Sequence, residues 1–413
     1  MPRPGVNVNI MNGQLGLQGP SENGITSLVL ATPAAPTGTA YGVAFIVKTK
    51  ADVIAKFADV LNAPVVTALN DGFYAEAPEG TEVHITCMAQ TTQLDVLAAS
   101  ANVSKSLNSA AGKTRLVGVI KWPADIYSPT ILNGFDTDVH AAVPVLQTVA
   151  NTWLAAKKPF RFFVQGYACD GISANAKDYV AETKRNGCIV VGELNASTAI
   201  ATLMVMGRAA LASPQQHVGR IKTGSLNTLE AWALTIGGTA IASVTDSTLN
   251  GYFDKRYITL ERNQIAAGFV VTDDSTLTAP TDDYNNLRNG RVMDNAVRIA
   301  FTTYYRELKD DVDVDADGRL SKVAEKALQT AIETDIDVAM RPQLSKKTDG
   351  TADVTCLVNP SYADNIALYN QNGITSEPNF NLLQTGTVYL FIKLKPKGCL
   401  KYINVFIGFT PVS

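Results

Sequence analysis

The chain has 413 residues, which at about 150 residues per domain suggests two to three domains. Hydrophobic residues make up 46% and charged residues 18%, so large cores can form and a disordered chain is excluded. Lysines and arginines number 35 against 38 acidic residues; a net charge of −3 offers no basic field for nucleic acid or an anionic membrane.

Residues 1–23 are rich in Pro, Gly and Asn, with no apolar run of the kind that opens a secretory signal. Only Val6, Val8 and Ile10 alternate as one face of a strand. The segment is too sparse to fold on itself. It is either a frayed terminus or an arm that pairs with another subunit.

Residues 24–281 read as an α/β core with a β-rich middle part. Apolar runs at Ile25–Ala31, Tyr41–Val47, Val83–Met88, Leu116–Ile120, Phe160–Val164 and Cys188–Val191 predict strands, several continuous enough to be buried on both faces. Residues 136–156 predict a helix, with Val139, Val143, Leu146, Val149, Trp153 and Leu154 at helical spacing. Trp153 and Leu154 are expected in its buried face. Further helices are predicted at Ala174–Thr183 and Ala196–Ala212. The second is the most apolar stretch, yet it holds Gly207-Arg208 and is shorter than the ~20 residues of a membrane span. Strands alternating with helices give a mixed sheet covered by helices. Short β pieces follow at Leu229–Ile236, Tyr257–Glu261 and Gly268–Thr272.

Residues 282–399 read as a C-terminal α+β domain. Leu287–Leu308 and Ser321–Met340 are amphipathic helices, the second closed by Arg341-Pro342. Strands are expected at Asp353–Val358, Thr387–Leu394 and Leu400–Phe409. The last two flank a Lys-Pro-Lys-Gly turn and form a candidate hairpin. In the final segment, residues 400–413, Ile403, Val405, Ile407 and Phe409 line one face at period two.

Gly112-Lys113-Thr114 has the ending of a phosphate-binding loop. The motif needs a glycine five residues earlier, where Leu107 stands, and it opens a helix, whereas this tripeptide precedes a strand. The reading is a plain loop. The run Asp313-Val-Asp315-Ala-Asp317-Gly318-Arg-Leu320 follows a calcium-loop pattern between two helices, but position 12 holds Ala324 instead of the bidentate glutamate. An acidic turn, with Ser321 capping the next helix, is the better reading. His84, His140 and His217 form no spaced ligand pair, and the five cysteines, odd in number and far apart, fit free thiols in a reducing compartment. No catalytic, cofactor or metal constellation emerges, so the chain is read as a non-enzyme.

An α/β chain without a site, with a sparse N-terminal arm and a β-rich C-terminus, resembles the contractile tail sheath proteins of myovirus-type phages and related injection systems. Three segments carry the resemblance: the small-residue helix and loop from Arg208 to Gly219, the strand pair Tyr257–Val271, and the helix opening Arg288–Arg298. Arg341-Pro342-Gln343 falls where sheaths have a Pro-containing turn. The chain is similar to the compact variants that lack a large outer insertion. The resemblance implies a helical homopolymer around a tail tube, meeting baseplate and tail terminator proteins. It implies no cofactor, no nucleic acid and no membrane binding by the subunit, and a place in a virion tail assembled in the bacterial cytoplasm. It also implies exchange of terminal strands between subunits, with Val6, Val8, Ile10, Ile403, Val405, Ile407 and Phe409 as the pairing residues. Two other readings stand beside it: a cytosolic α/β enzyme with a pocket assembled from distant residues, and another self-assembling shell protein.

Overall fold

The structure, a computed structural model, describes residues 22–194, 200–227 and 234–401. Val6, Val8, Ile10, Ile403, Val405, Ile407 and Phe409 lie outside the described residues, as does most of the strand expected at Leu400–Phe409.

A six-stranded mixed sheet organises the first of two units, which comprises residues up to 213 together with 218–287. Its strands are β1 (Thr26–Thr32), β2 (Ala44–Val47), β3 (Val83–Ala89), β4 (Leu116–Lys121), β5 (Arg161–Gln165) and β6 (Gly187–Val190). Their order is β2-β3-β1-β4-β5-β6, parallel throughout except for β2, which runs antiparallel to β3. All seven residues of β1 are buried, as the centre of a sheet covered on both faces requires. At one edge, β6 is closed by the segment around Ile258, which exchanges backbone hydrogen bonds with Ile189 and Val191 at 3.0 and 2.8 Å.

The longer helices of this unit are α1 (Lys50–Lys56), α2 (Ser100–Ser109), α3 (Thr137–Ala155), α4 (Ile200–Leu211) and α5 (Asp246–Asp254). A capping box, in which Thr49 accepts the Asp52 N–H and Asp52 accepts that of Thr49, starts α1. Helix α4 is buried from Ile200 to Ala210, which explains a sequence apolar all round. It lies so close to the helical residues 68–76 that a Cβ on Gly207 would sit 2.4 Å from the Phe73 carbonyl oxygen. Two short strands, β7 (Leu260–Arg262) and β8 (Phe269–Val271), pair antiparallel in the Thr-rich middle part.

The helix expected at Ala174–Thr183 does not form. Asp170 and Asp178 turn their carboxylates onto the N–H groups of Ile172 and Val180, each at 2.8 Å, and such local bonds compete with a helix. Tyr179 is drawn instead into an aromatic cluster, with its ring 5.8 Å from that of Tyr257 and its hydroxyl 2.8 Å from His140 Nδ1. Trp153 and Leu154 are only half-buried: the fully buried residues of α3 end at Ala150, and Trp153 packs against the margin of the core.

The second unit comprises residues 214–217 and the chain from Arg288 onward. Helices α6 (Leu287–Glu307) and α7 (Lys322–Met340) and strands β9 (Val354–Val358) and β10 (Leu390–Leu394) form its frame, with a short helix α8 (Ile366–Gln371) between the strands. Val292 and Ala296 meet Ile332, Ile336 and Met340 in a core closed by Val354 and Cys356. Strand β10 pairs antiparallel with β9, while the strand expected after the Lys-Pro-Lys-Gly turn lies outside the described residues. Among the described residues no helix is long and apolar enough to cross a membrane.

Candidate functional site

In an open α/β sheet, ligands bind outside the carboxyl ends of the strands, where successive connections diverge to opposite sides; here that point is between β1 and β4. A groove of about 350 Å3 opens beside it, lined by Gln90, Thr91, Gln93, Lys121, Ala124 and Tyr127. Lys121, the last residue of β4, is 1% exposed. Its ammonium donates to Asp138 at 2.6 Å, Asp136 at 2.8 Å and the Gln93 side-chain oxygen at 3.1 Å. The rings of Tyr127 and Tyr167 lie 4.6 and 4.7 Å from it. Burial works against the charge on Lys121, but the two carboxylates outweigh it and hold its pKa above the ordinary value. Burial pushes the Asp138 carboxyl up, against the Leu94 N–H and Lys121, which favour its ionised form.

Three donors on the ammonium meet three protein acceptors, and Tyr127 donates to Asp136 at 2.6 Å. The cluster therefore clamps the end of β4 to the start of α3 and to the loop after β3. The sequence reading passed over it, because residues 121, 136 and 138 meet only through the fold. The one local signal is a lysine closing an otherwise apolar buried strand.

Gly112-Lys113-Thr114 ends α2 and enters β4, with Ala111 and Gly112 at φ +50° and +74°. That is the geometry of a helix stop. The Thr114 hydroxyl is buried 2.7 Å from that of Ser27. In the acidic turn, one Asp315 carboxylate oxygen accepts the N–H groups of Asp317 and Arg319 at 3.0 and 2.9 Å. Ser321 caps α7 by accepting the Ala324 N–H at 3.2 Å. His84 and His140 are held in packing roles, bonded to Ser109 and Tyr179, and burial lowers the pKa of both. Cys87, Cys169, Cys188 and Cys356 are buried free thiols, and Cys399 is an exposed one.

The second unit presents a different kind of site. Its sheet has two strands among the described residues, and β10 carries no further strand on its outer side there. On β9, the outward Cys356 N–H is taken by the Glu333 carboxylate at 2.9 Å. A strand edge with no neighbour among the described residues is a template for an added strand.

A family model described as the N-terminal domain of DUF2586 matches residues 3–275. The chain belongs to the DUF2586 family. A search of curated proteins finds no match. Among solved structures, this DUF2586 chain is similar to a chain of the anti-feeding prophage baseplate, with a TM-score of 0.61, 14% identity and 99% of both chains covered. It is also similar to the sheath complex of the extracellular contractile injection system PVC in its contracted state, with a TM-score of 0.60 and 12% identity over 99% of this chain and 98% of that one. The contracted helical sheath of the anti-feeding prophage gives a TM-score of 0.57 at 14% identity over 99% of both. The fold is thus that of contractile-system sheath proteins, end to end.

Proposed function

We propose that this chain is a structural subunit of a contractile sheath, which polymerises helically around a tail tube and shortens to drive the tube through a target cell envelope. The observation that carries the proposal is the likeness, over 99% of the chain, to proteins in the sheath complexes of two contractile systems. Its partners are then further copies of itself, a tail tube protein, and baseplate and terminator proteins, within a phage tail or tail-like particle assembled in a bacterial cytoplasm. No catalysis is required. Subunit contacts that differ by a few kcal/mol between two lattices sum over many copies to a large driving force. The Lys121 clamp supports a scaffold role, since its donors are spent on the protein's own acceptors.

The reading includes exchange of terminal strands. Val6, Val8 and Ile10 of one copy, and Ile403, Val405, Ile407 and Phe409 of another, would extend the β9–β10 sheet of a third. Electron microscopy of the protein expressed alone or with a cognate tube protein tests the proposal. Long hollow cylinders are expected, and discrete globular particles under all conditions would overturn it.

A further inference from the structure

The second unit is electrically bipolar along α7. Residues 307–317, which run from the last residue of α6 toward α7, carry six carboxylates and one lysine, and every one of those carboxylate residues is exposed. The flanking Arg306 and Arg319 leave this end acidic. It is tied to the start of α7 by the bond from the Ser321 N–H to the Asp313 carbonyl at 2.9 Å.

Exposed apolar side chains continue into the same end. Phe301 and Tyr305 pack as a tilted pair with ring centres 5.3 Å apart, and Tyr305 and Leu308 are 63% and 64% exposed. Spacing of four and three residues puts Phe301, Tyr305 and Leu308 on one face of α6 and its continuation. That face has no partner among the described residues.

The opposite end is basic. Lys346 and Lys347 lie just beyond the end of α7, and the Ser345 N–H donates to the Lys395 carbonyl at 2.8 Å. Lys393, Lys395 and Lys397 alternate along one face of the chain leaving β10. With Lys401 these make six exposed lysines, against Asp349 and Asp353 in the same region. The 19 residues of α7 separate the two ends by about 28 Å.

We propose that the apolar and acidic end of the second unit docks on the lysine-bearing end of the same unit in a second copy, head to tail. Charge complementarity selects the occupant: each copy carries both halves of the contact, at opposite ends of one rigid helix. A contact between two different patches gives a ring where its rotation closes and an open helix where it does not, and both arrangements fit a lattice of stacked or helically wound subunits. The stems of the lysines give Tyr305 and Leu308 apolar surface to cover. The inference rests on the self-assembly proposed above, and names a contact separate from strand exchange.

Charge reversal in the full-length chain tests it, with polymer measured by sedimentation and electron microscopy. Asp310→Lys, Asp311→Lys and Asp313→Lys together should raise the concentration needed for assembly by about tenfold or more. Lys393→Glu, Lys395→Glu and Lys397→Glu together should do the same. A chain carrying both sets should assemble within about threefold of the original, because the two ends have exchanged sign. Raising salt from about 50 to about 500 mM should weaken assembly of the unaltered chain through screening. Single sets that assemble like the original, a combined set no better than either, or assembly of the original indifferent to salt would overturn this contact and leave the sheath reading standing. Failure of the unaltered chain to polymerise under any condition would overturn both.

Discussion

Arg208 and Glu76 form an ion pair in the interior of the first unit, 2.7 Å apart, with 3% and 0% of their side chains exposed. The guanidinium also donates to the Ser225 carbonyl at 2.8 Å, and Glu76 accepts the backbone N–H of Asn227. One pair thus joins α4, the helical residues 74–76 and the loop 224–227. Burial pushes the Glu76 carboxyl up, and Arg208 works against that.

Removing one partner leaves the other charge buried and unpaired. Glu76→Gln or Arg208→Met should each cost about 3–5 kcal/mol, whereas Glu76→Leu with Arg208→Met should cost much less than the sum. Denaturant unfolding of the dissociated subunit measures this. Single variants within about 1 kcal/mol of the original would mean that the pair contributes little.

Glu193, following β6, predicts a pH dependence. Its carboxylate accepts the backbone N–H groups of Ala168 and Cys169, but burial dominates and pushes its pKa up from 4.5 to about 7. Between those values the folded chain holds a proton that the unfolded chain has released. The stabilisation is full below pH 4.5 and is lost as pH rises through 7, by on the order of 3 kcal/mol. Glu193→Gln keeps an acceptor and cannot ionise, so it should flatten this slope. Urea midpoints at about pH 5 and pH 8 compare the two chains, and equal slopes would exclude Glu193 as the source.

The strands of the main sheet were legible because each is a short apolar run set between turn residues, and β1, β4 and β5 are buried on both faces. The ends of helices were less so. Trp153 keeps the helical spacing of α3 but is only half-buried at the margin of the core, with the Lys158 ammonium 5.9 Å from its ring centre. Spacing reports which residues share a face, not where the opposite surface stops. Residues 174–183 failed for another reason: side-chain turns at Asp170 and Asp178 and the pull of Tyr179 into its cluster are tertiary facts. The Lys121 clamp was invisible because its members are separated by 15 and 17 residues along the chain.

That difference in burial is measurable. Trp153→Ala should cost about 1–2 kcal/mol, well below the 3–5 kcal/mol expected for Phe162→Ala or Phe163→Ala, whose side chains lie wholly inside the sheet layers. Equal losses in thermal or denaturant unfolding would place Trp153 in the core after all.

The last prediction concerns the arms. A lone strand, which the alternation of Val6, Val8 and Ile10 predicts, cannot satisfy its own backbone donors and acceptors, and the β9–β10 sheet, with two strands among the described residues, offers it an edge. Deleting residues 1–19 removes few apolar side chains, so the remaining chain should stay folded and soluble as a monomer while losing the ability to form cylinders. Proline in place of Val405 should act the same way, by removing one ladder donor from the C-terminal arm. Charge reversal at the ends of α7 weakens a salt-sensitive contact, whereas these arm variants should block assembly at every salt concentration, since a backbone ladder is little screened. Circular dichroism separates folding from assembly, and electron microscopy counts cylinders. Normal cylinders from both arm variants would remove strand exchange from the mechanism. Loss of folding on deleting residues 1–19 would instead assign Val6, Val8 and Ile10 to a sheet within their own subunit.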